Sequence, residues 1–266
     1  MYQRLIKSGI ATIFFIIFFT GCASVSVSTY QDGSSLGKGK IRIGAGAEMS
    51  PMMNYGLEGA DPENPENFKA FELFEEEELE EGQDSTMYYW GVVNLLMQYG
   101  LTDKIDIGLI PFTDFYFNYG TKGFAKYAFM DEDSKMQIAV VPYYGYGRFQ
   151  VTDSSATPGQ EWDAEVSQFN TTYYGVDIPI SFPNPGLYFT LKMYTDILNG
   201  SFTYFDQPGI EHTPSQDPRT SYGIAFGADT PGEYGRIELQ VMFQKTPKDE
   251  WLPRAYIGYN KFFDLN

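Results

Sequence analysis

The chain has 266 residues, a formal charge of −17, 17% aromatic residues, 27 glycines and a mean hydropathy of −0.29. Its acidic balance excludes nucleic acid as a partner, because phosphates would be repelled, and its hydropathy excludes a bundle of membrane helices. The one cysteine, Cys22, excludes an internal disulfide and a cysteine-built zinc site.

At the N-terminus, Arg4 and Lys7 precede the apolar run Ile10 to Phe19. That run is too short for a typical bilayer span and suits the hydrophobic region of an export signal. It stops at Thr20-Gly21-Cys22, and a polar, Ser-rich stretch follows from Ala23 to Ser35. Phe19-Thr20-Gly21-Cys22 resembles the lipobox of bacterial lipoproteins. The resemblance implies cleavage before Cys22 and acylation of that cysteine. With Ala23 where the inner-membrane retention signal would be Asp, it also implies sorting to the outer membrane. Two or three acyl chains anchor a protein stably where one would not. The competing readings are an ordinary secretory signal with an incidental cysteine, or an uncleaved short anchor. The chain is thus expected to divide into a signal peptide (1–21), an acylated flexible linker (22–38) and one domain (39–266).

From Gly39 onward the repeating signal has period two, which is the signature of strands. Ile41, Ile43, Ala45 and Ala47 alternate with Arg42, Gly44, Gly46 and Glu48. An acidic insert near 54–84 follows. Its run Glu72 to Glu81 is weighed as a Ca²⁺ or Mg²⁺ trap and read as a solvated acidic segment, since no EF-hand-like spacing is present. Phe68, Phe71 and Phe74 give the insert an apolar stripe read as local packing.

Further on, Ile105, Ile107, Leu109, Phe115 and Phe117 oppose Asp106, Gly108, Asp114, Tyr116 and Asn118. Tyr174, Val176, Ile178 and Ile180 oppose Tyr173, Gly175, Asp177 and Ser181; Leu187, Phe189, Leu191 and Met193 oppose Tyr188, Thr190, Lys192 and Tyr194. The clearest alternation is C-terminal: Tyr222, Ile224 and Phe226 against Gly223, Ala225 and Gly227, then Ile237, Leu239, Val241 and Phe243 against Arg236, Glu238, Gln240 and Gln244. With the less regular stretches 86–101, 123–130, 135–148 and 253–263, about ten strands are expected, eight or twelve being the alternatives.

Every second connection is tight, such as Thr102-Asp103-Lys104 and Pro183-Asn184-Pro185-Gly186, and the others are long or variable. An up-and-down barrel in the outer membrane has this asymmetry, with short periplasmic turns and longer outer loops. Tyr99 to Gly108 resembles the tight hairpins of poorly characterised small outer-membrane barrel proteins, and Arg254 to Phe263 is similar to their aromatic final strand, although Asp264-Leu265-Asn266 extends past it. The expected fold is therefore all-β, an up-and-down antiparallel transmembrane β-barrel with a cleaved lipoprotein signal. It would sit in the outer membrane, anchored from the periplasmic side with the longer loops outside, its partner being lipid through acyl chains and barrel exterior.

Apolar rows would then face lipid, and Arg42, Glu48, Asp106, Asp177, Lys192, Arg236 and Glu238 would face a wet lumen, where charge is tolerated. Gly44, Gly46, Gly223 and Gly227 would share that side and let opposing side chains fill it. Trp90, Tyr99, Tyr146, Trp251 and Tyr259 are candidate girdle residues. No phosphate loop, nucleophile elbow or zincin motif occurs, so no catalytic, metal or cofactor site is expected and the chain reads as a non-enzyme. The expected role is structural, binding or narrow permeation, without a wide pore. The first alternative is a soluble periplasmic lipoprotein with a lipocalin-like closed fold around an apolar ligand. The second is an outer-membrane hydrolase using the lone histidine, His212, beside Glu211 and near Ser215 and Asp217.

Overall fold

A computed structural model describes residues 32–51, 57–58, 69–70, 89–114, 119–131, 133–149, 164–182, 186–204, 211–212, 218–232, 235–245 and 251–265. Ten strands make up the main sheet: β1 (Lys40–Pro51), β2 (Tyr89–Gly100), β3 (Ile105–Asp114), β4 (Tyr119–Ala128), β5 (Gln137–Phe149), β6 (Ala164–Phe182), β7 (Leu187–Tyr204), β8 (Arg219–Gly232), β9 (Gly235–Lys245) and β10 (Trp251–Asp264). Each pairs antiparallel with its neighbours in sequence. β1 and β10 then pair from Lys40↔Asp264 to Met49↔Ala255, which closes the sheet. The fold is an all-β up-and-down barrel, and closure satisfies the backbone groups that an edge strand would leave open. Two-residue strands add a separate ribbon, Leu57–Glu58 with Lys69–Ala70, and pair Glu211–His212 with β7.

Both ends of the barrel chain lie at one rim, because the first residue of β1 is paired with the last of β10. At this hairpin rim the connections are 101–104, 129–136, 183–186 and 233–234; the opposite, loop rim carries 52–88, 115–118, 150–163, 205–218 and 246–250. The hairpin turns have recognisable chemistry. Thr102 Oγ1 accepts from the amides of Lys104 (3.2 Å) and Ile105 (3.0 Å), an ST-turn that competes with strand continuation. Gly186 ends the β6–β7 turn with φ at 84°, a value glycine adopts without steric cost.

One boundary differs from the sequence reading. The strand expected over 123–130 already begins at Tyr119 in β4, because Thr113 on β3 and Arg148 on β5 pair with Tyr119 from either side and carry the strand through Gly120 and Gly123. Phe115, Tyr116, Phe117 and Asn118 lie outside the described residues.

The orientation of the two faces is decided on β9. Ile237 and Leu239 are 49% and 53% exposed, whereas Glu238 between them is 3% exposed. The same parity runs round the barrel: Ile43, Leu95, Leu109, Tyr144, Ile178, Leu191, Phe226 and Ile257 point outward. A soluble lipocalin-like fold requires the reverse, with aliphatic rows sealed inside; the chain has an apolar exterior and a polar-bearing interior.

The interior is more apolar than the sequence reading expected. Val92, Leu96, Ile110, Phe112, Phe124 and Val141, from β2 to β5, form a buried cluster continuous with Tyr143, Tyr173, Tyr194, Met242 and Tyr256. Glycines make room for these rings. Tyr256 lies across Gly46 and Gly258, Tyr188 across Gly227 and Tyr173 across Gly145, so closely that an added Cβ would overlap the ring. Inward aromatics laid over glycines of the same or a neighbouring strand fill a narrow barrel in the way side chains fill a core.

Candidate functional site

Of the charged side chains singled out from sequence, Arg42, Glu48, Asp106, Asp177, Lys192 and Glu238 are buried inside the barrel, and the strand register determines which of them meet. Arg42 on β1 forms an ion pair with Glu238 on β9, both buried. Nearer the loop rim, Arg254 on β10 donates to Glu48 on β1 at 3.2 Å. On the far wall, Lys192 on β7 donates to Asp177 on β6 at 2.9 Å, as their direct pairing requires. Asp106 on β3 accepts from Gln98 Nε2 at 2.8 Å. Arg236 departs from the group. Its side chain is 37% exposed at the hairpin rim, 3.6 Å from Asp32 and stacked over the Phe262 ring at 4.7 Å.

Sequence reasoning missed Lys122, Lys126, Arg254, Asn94, Gln98 and Gln137, all buried inside. The same parity rule applied to β2, β4, β5 and β10 would have found them. Among the described residues inside the strands, the fully buried cations are Arg42, Lys122, Lys126, Lys192 and Arg254, and the buried anions are Glu48, Asp106, Asp114, Asp177 and Glu238. Six of these ten form cross-strand ion pairs, Arg42–Glu238, Arg254–Glu48 and Lys192–Asp177, and with equal numbers of the two signs the described residues show no ring of one charge of the kind that selects ions in a pore.

The hairpin rim is closed by the segment before β1. The linker expected over 22–38 differs here, because its residues from Asp32 onward are packed into the mouth. Asp106 accepts from Ser35 Oγ at 2.8 Å and from the Leu36 amide at 3.1 Å. Lys126 donates to Asp32 at 3.2 Å, and the Gly33 amide donates to Ser181 Oγ at 3.0 Å. Gly33 is buried so close to the Gln137 carbonyl that a Cβ would overlap it. Gly39 donates to the Gly100 carbonyl at 2.9 Å and leads the chain into β1. The reason is polar satisfaction: an aspartate and a lysine pointing into a narrow mouth need partners, and the strap supplies a carboxylate, a hydroxyl and an amide.

Burial pushes the Asp32 carboxyl up, but the charges of Lys126 and Arg42, a hydrogen bond from Ser34 and the charge of Arg236 outweigh it and hold the pKa at about 2. Asp32 is therefore ionised at neutral pH and locks the strap electrostatically. Beside the strap a cleft of about 200 Å³ is lined by Ser34, Ser35, Lys38, Lys40, Asp103 and Lys104 among others. Lys104 within it is paired with Asp131 at 3.1 Å.

Cys22 and the run Glu72 to Glu81 lie outside the described residues. The backbone of His212 pairs with Phe202, while Ser215 and Asp217 are outside the described residues. Among the described residues no three His, Cys, Asp or Glu side chains converge as a metal site would require. Of the candidate girdle residues, Tyr99, Tyr146 and Tyr259 face outward; the side chains of Trp90 and Trp251 lie outside the described ones.

No family model matches the chain, and no curated protein matches it. Solved structures similar to it include the attachment invasion locus protein Ail of Yersinia pestis, at 13% identity and TM-score 0.35, covering 85% of this chain and 99% of that one. The translocator domain of the autotransporter NalP from Neisseria meningitidis matches at 8% identity and TM-score 0.48, covering 84% and 88%. An outer-membrane channel from Pseudomonas putida F1 matches at 9% identity and TM-score 0.39, covering 90% and 100%. These likenesses are distant, and the barrel's assignment rests on its own strand pairing.

Proposed function

We propose that the protein is a lipid-anchored outer-membrane barrel with a structural or binding role exercised at its rims and loops, its lumen held shut. The observation that carries this reading is the inversion on β9: an aliphatic row outside and an ion-paired carboxylate inside. Such a surface is stable in hydrocarbon, where a closed barrel leaves no backbone group unpaired, and is costly in water. Interior packing supports a closed lumen, since buried aromatics, compensated ion pairs and the strap at 32–39 occupy the space an aqueous pore would need.

In this reading the acyl chains on Cys22 enter the periplasmic leaflet. The strap and the tight hairpins face the periplasm, and the longer connections face outward. The segment 52–88, joining β1 to β2 at the outer rim, carries twelve acidic residues against one lysine, so much of the chain's negative charge is displayed on one connection. The hydrolase reading has no support from the described residues around His212.

Two measurements test the proposal. A Cys22→Ala protein with its signal retained is expected to stay in the outer-membrane fraction through carbonate and urea extraction; clean release refutes an embedded barrel. The wild-type protein in planar bilayers is expected to give no stepwise conductance. Sustained channel openings would establish narrow permeation and refute the closed lumen.

A further inference from the structure

The outward faces of β4, β5 and β6 carry one charged side chain among the described residues, Arg148, and its position is informative. Tyr119, Arg148 and Asn170 form one cross-strand row, Tyr119↔Arg148↔Asn170, on the lipid-facing parity. The Arg148 guanidinium meets the Tyr119 hydroxyl at 3.4 Å, and no carboxylate among the described residues pairs with it. The Asn170 carbonyl accepts from the Tyr146 hydroxyl at 2.6 Å, which turns the outward amide of Tyr146's partner into a spare donor beside the arginine. Below the row come Thr121 and Thr172, then Tyr144 and Tyr174, then aliphatic residues.

Arg148 is eleven positions up β5 from Gln137 at the hairpin rim. At roughly 3.3 Å per residue and a tilt of about 40°, that is about 28 Å along the barrel axis. The apolar band of an outer-membrane barrel is about 25 Å tall. The guanidinium therefore reaches the head-group layer of the leaflet at the loop rim. A cation at that depth needs an anion or water, and donors spaced about 5 Å apart across three strands favour an anion with several oxygens.

We propose that this row binds the phosphate of a lipid head group in the outer leaflet, with Arg148 carrying the charge and the Asn170 amide and Tyr119 hydroxyl completing the contact. The proposal rests on the membrane reading above, and the experiment separates the two. Wild-type protein and the Arg148→Gln, Arg148→Lys and Asn170→Ala variants are folded into phosphate-free maltoside micelles. Each is titrated with lipid A or with inorganic phosphate, and the midpoint of heat-modifiable gel migration is followed. Lipid A is expected to raise the wild-type midpoint, with apparent affinity falling roughly ten-fold in Arg148→Gln and less in Arg148→Lys and Asn170→Ala. Loss of the wild-type response, or an equal response in Arg148→Gln, overturns the phosphate row while leaving the barrel in the membrane. Saturation by inorganic phosphate alone overturns the lipid assignment in favour of a free-anion site. Failure of the wild type to enter lipid vesicles overturns the membrane reading and the proposal together.

Discussion

Replacing Lys192 with Met tests whether the interior charges are held as pairs. The ammonium lies 2.9 Å from Asp177, and both side chains are essentially inaccessible. At an effective dielectric of about 20, two unit charges at that distance attract by about 6 kcal/mol, from which the desolvation of both groups must be subtracted. Removing the cation leaves a buried carboxylate without its partner, which typically costs roughly 3–5 kcal/mol. Lys122 is within electrostatic reach of both groups. It is relieved of repulsion from Lys192 and turns toward Asp177, so the expected loss is at the low end, about 3 kcal/mol. The double variant Lys192→Met with Asp177→Asn removes both charges and should lose only about 1 kcal/mol, because the orphaned charge is gone. Equilibrium urea unfolding of the barrel in lipid vesicles measures both, and the coupling between sites is the deciding quantity. A single variant within about 1 kcal/mol of wild type, or strict additivity, would refute a paired, dry interior and imply that water screens these groups.

The strap offers a pH test. The Asp32 carboxyl titrates at about 2 in the folded protein, against an ordinary value of 3.8. Its folded pKa is depressed, so its contribution is complete above about pH 4 and is lost as pH falls through 2; the difference corresponds to about 2 kcal/mol. Asp32→Asn should remove that contribution at neutral pH and speed amide exchange at Gly33 and Leu36, whose bonds the strap maintains. Unchanged exchange would mean Asp32 does not hold the strap. Gly33→Ala places a Cβ on the Gln137 carbonyl and should free the strap to proteolysis while β1 stays paired; continued resistance would contradict the close packing. On the outer face, Ile237→Arg and Leu239→Arg should each cost roughly 2–4 kcal/mol in a bilayer, whereas Gln240→Leu on the inner face should be mild. Heat-modifiable migration in vesicles separates the cases, and equal effects on both faces would undo the inside–outside assignment.

How much of this was legible in the chain follows from what strand parity can and cannot specify. Alternation at Ile237, Leu239 and Val241 fixes which residues share a face. The tight hairpin 101–104, set against long connections elsewhere, indicates which rim is which. Parity says nothing about what stands opposite across the barrel. Arg254 meets Glu48, and Arg42 meets Glu238, only because the sheet closes with β1 against β10, a pairing between the two ends of the domain. The apolar cluster of β2 to β5 was hidden for a related reason. Leu96 and Val93 are chemically alike, yet one is buried and the other faces outward, so on a strand apolar on both faces the period-two signal vanishes. The strap was hidden because a Ser- and Gly-rich stretch has the composition of a linker, and its order comes from partners far along the chain.

The strap and the unsorted strands point to the same physical conclusion. A barrel whose interior were filled with water would have no need of apolar residues at Val92, Leu96, Ile110 and Val141, since nothing there would reward their burial. A barrel with a wholly apolar interior would exclude Lys122, Lys126, Glu48 and Asp177. Having both, with aromatic rings laid over glycines between them, is the arrangement of a protein core that carries its own ion pairs. Such an interior sets the relative positions of strands that share no hairpin, β1 with β9 and β10 for instance. It thereby holds the two rims rigid, where the strap, the Arg148 row and the acidic connection between β1 and β2 meet their surroundings.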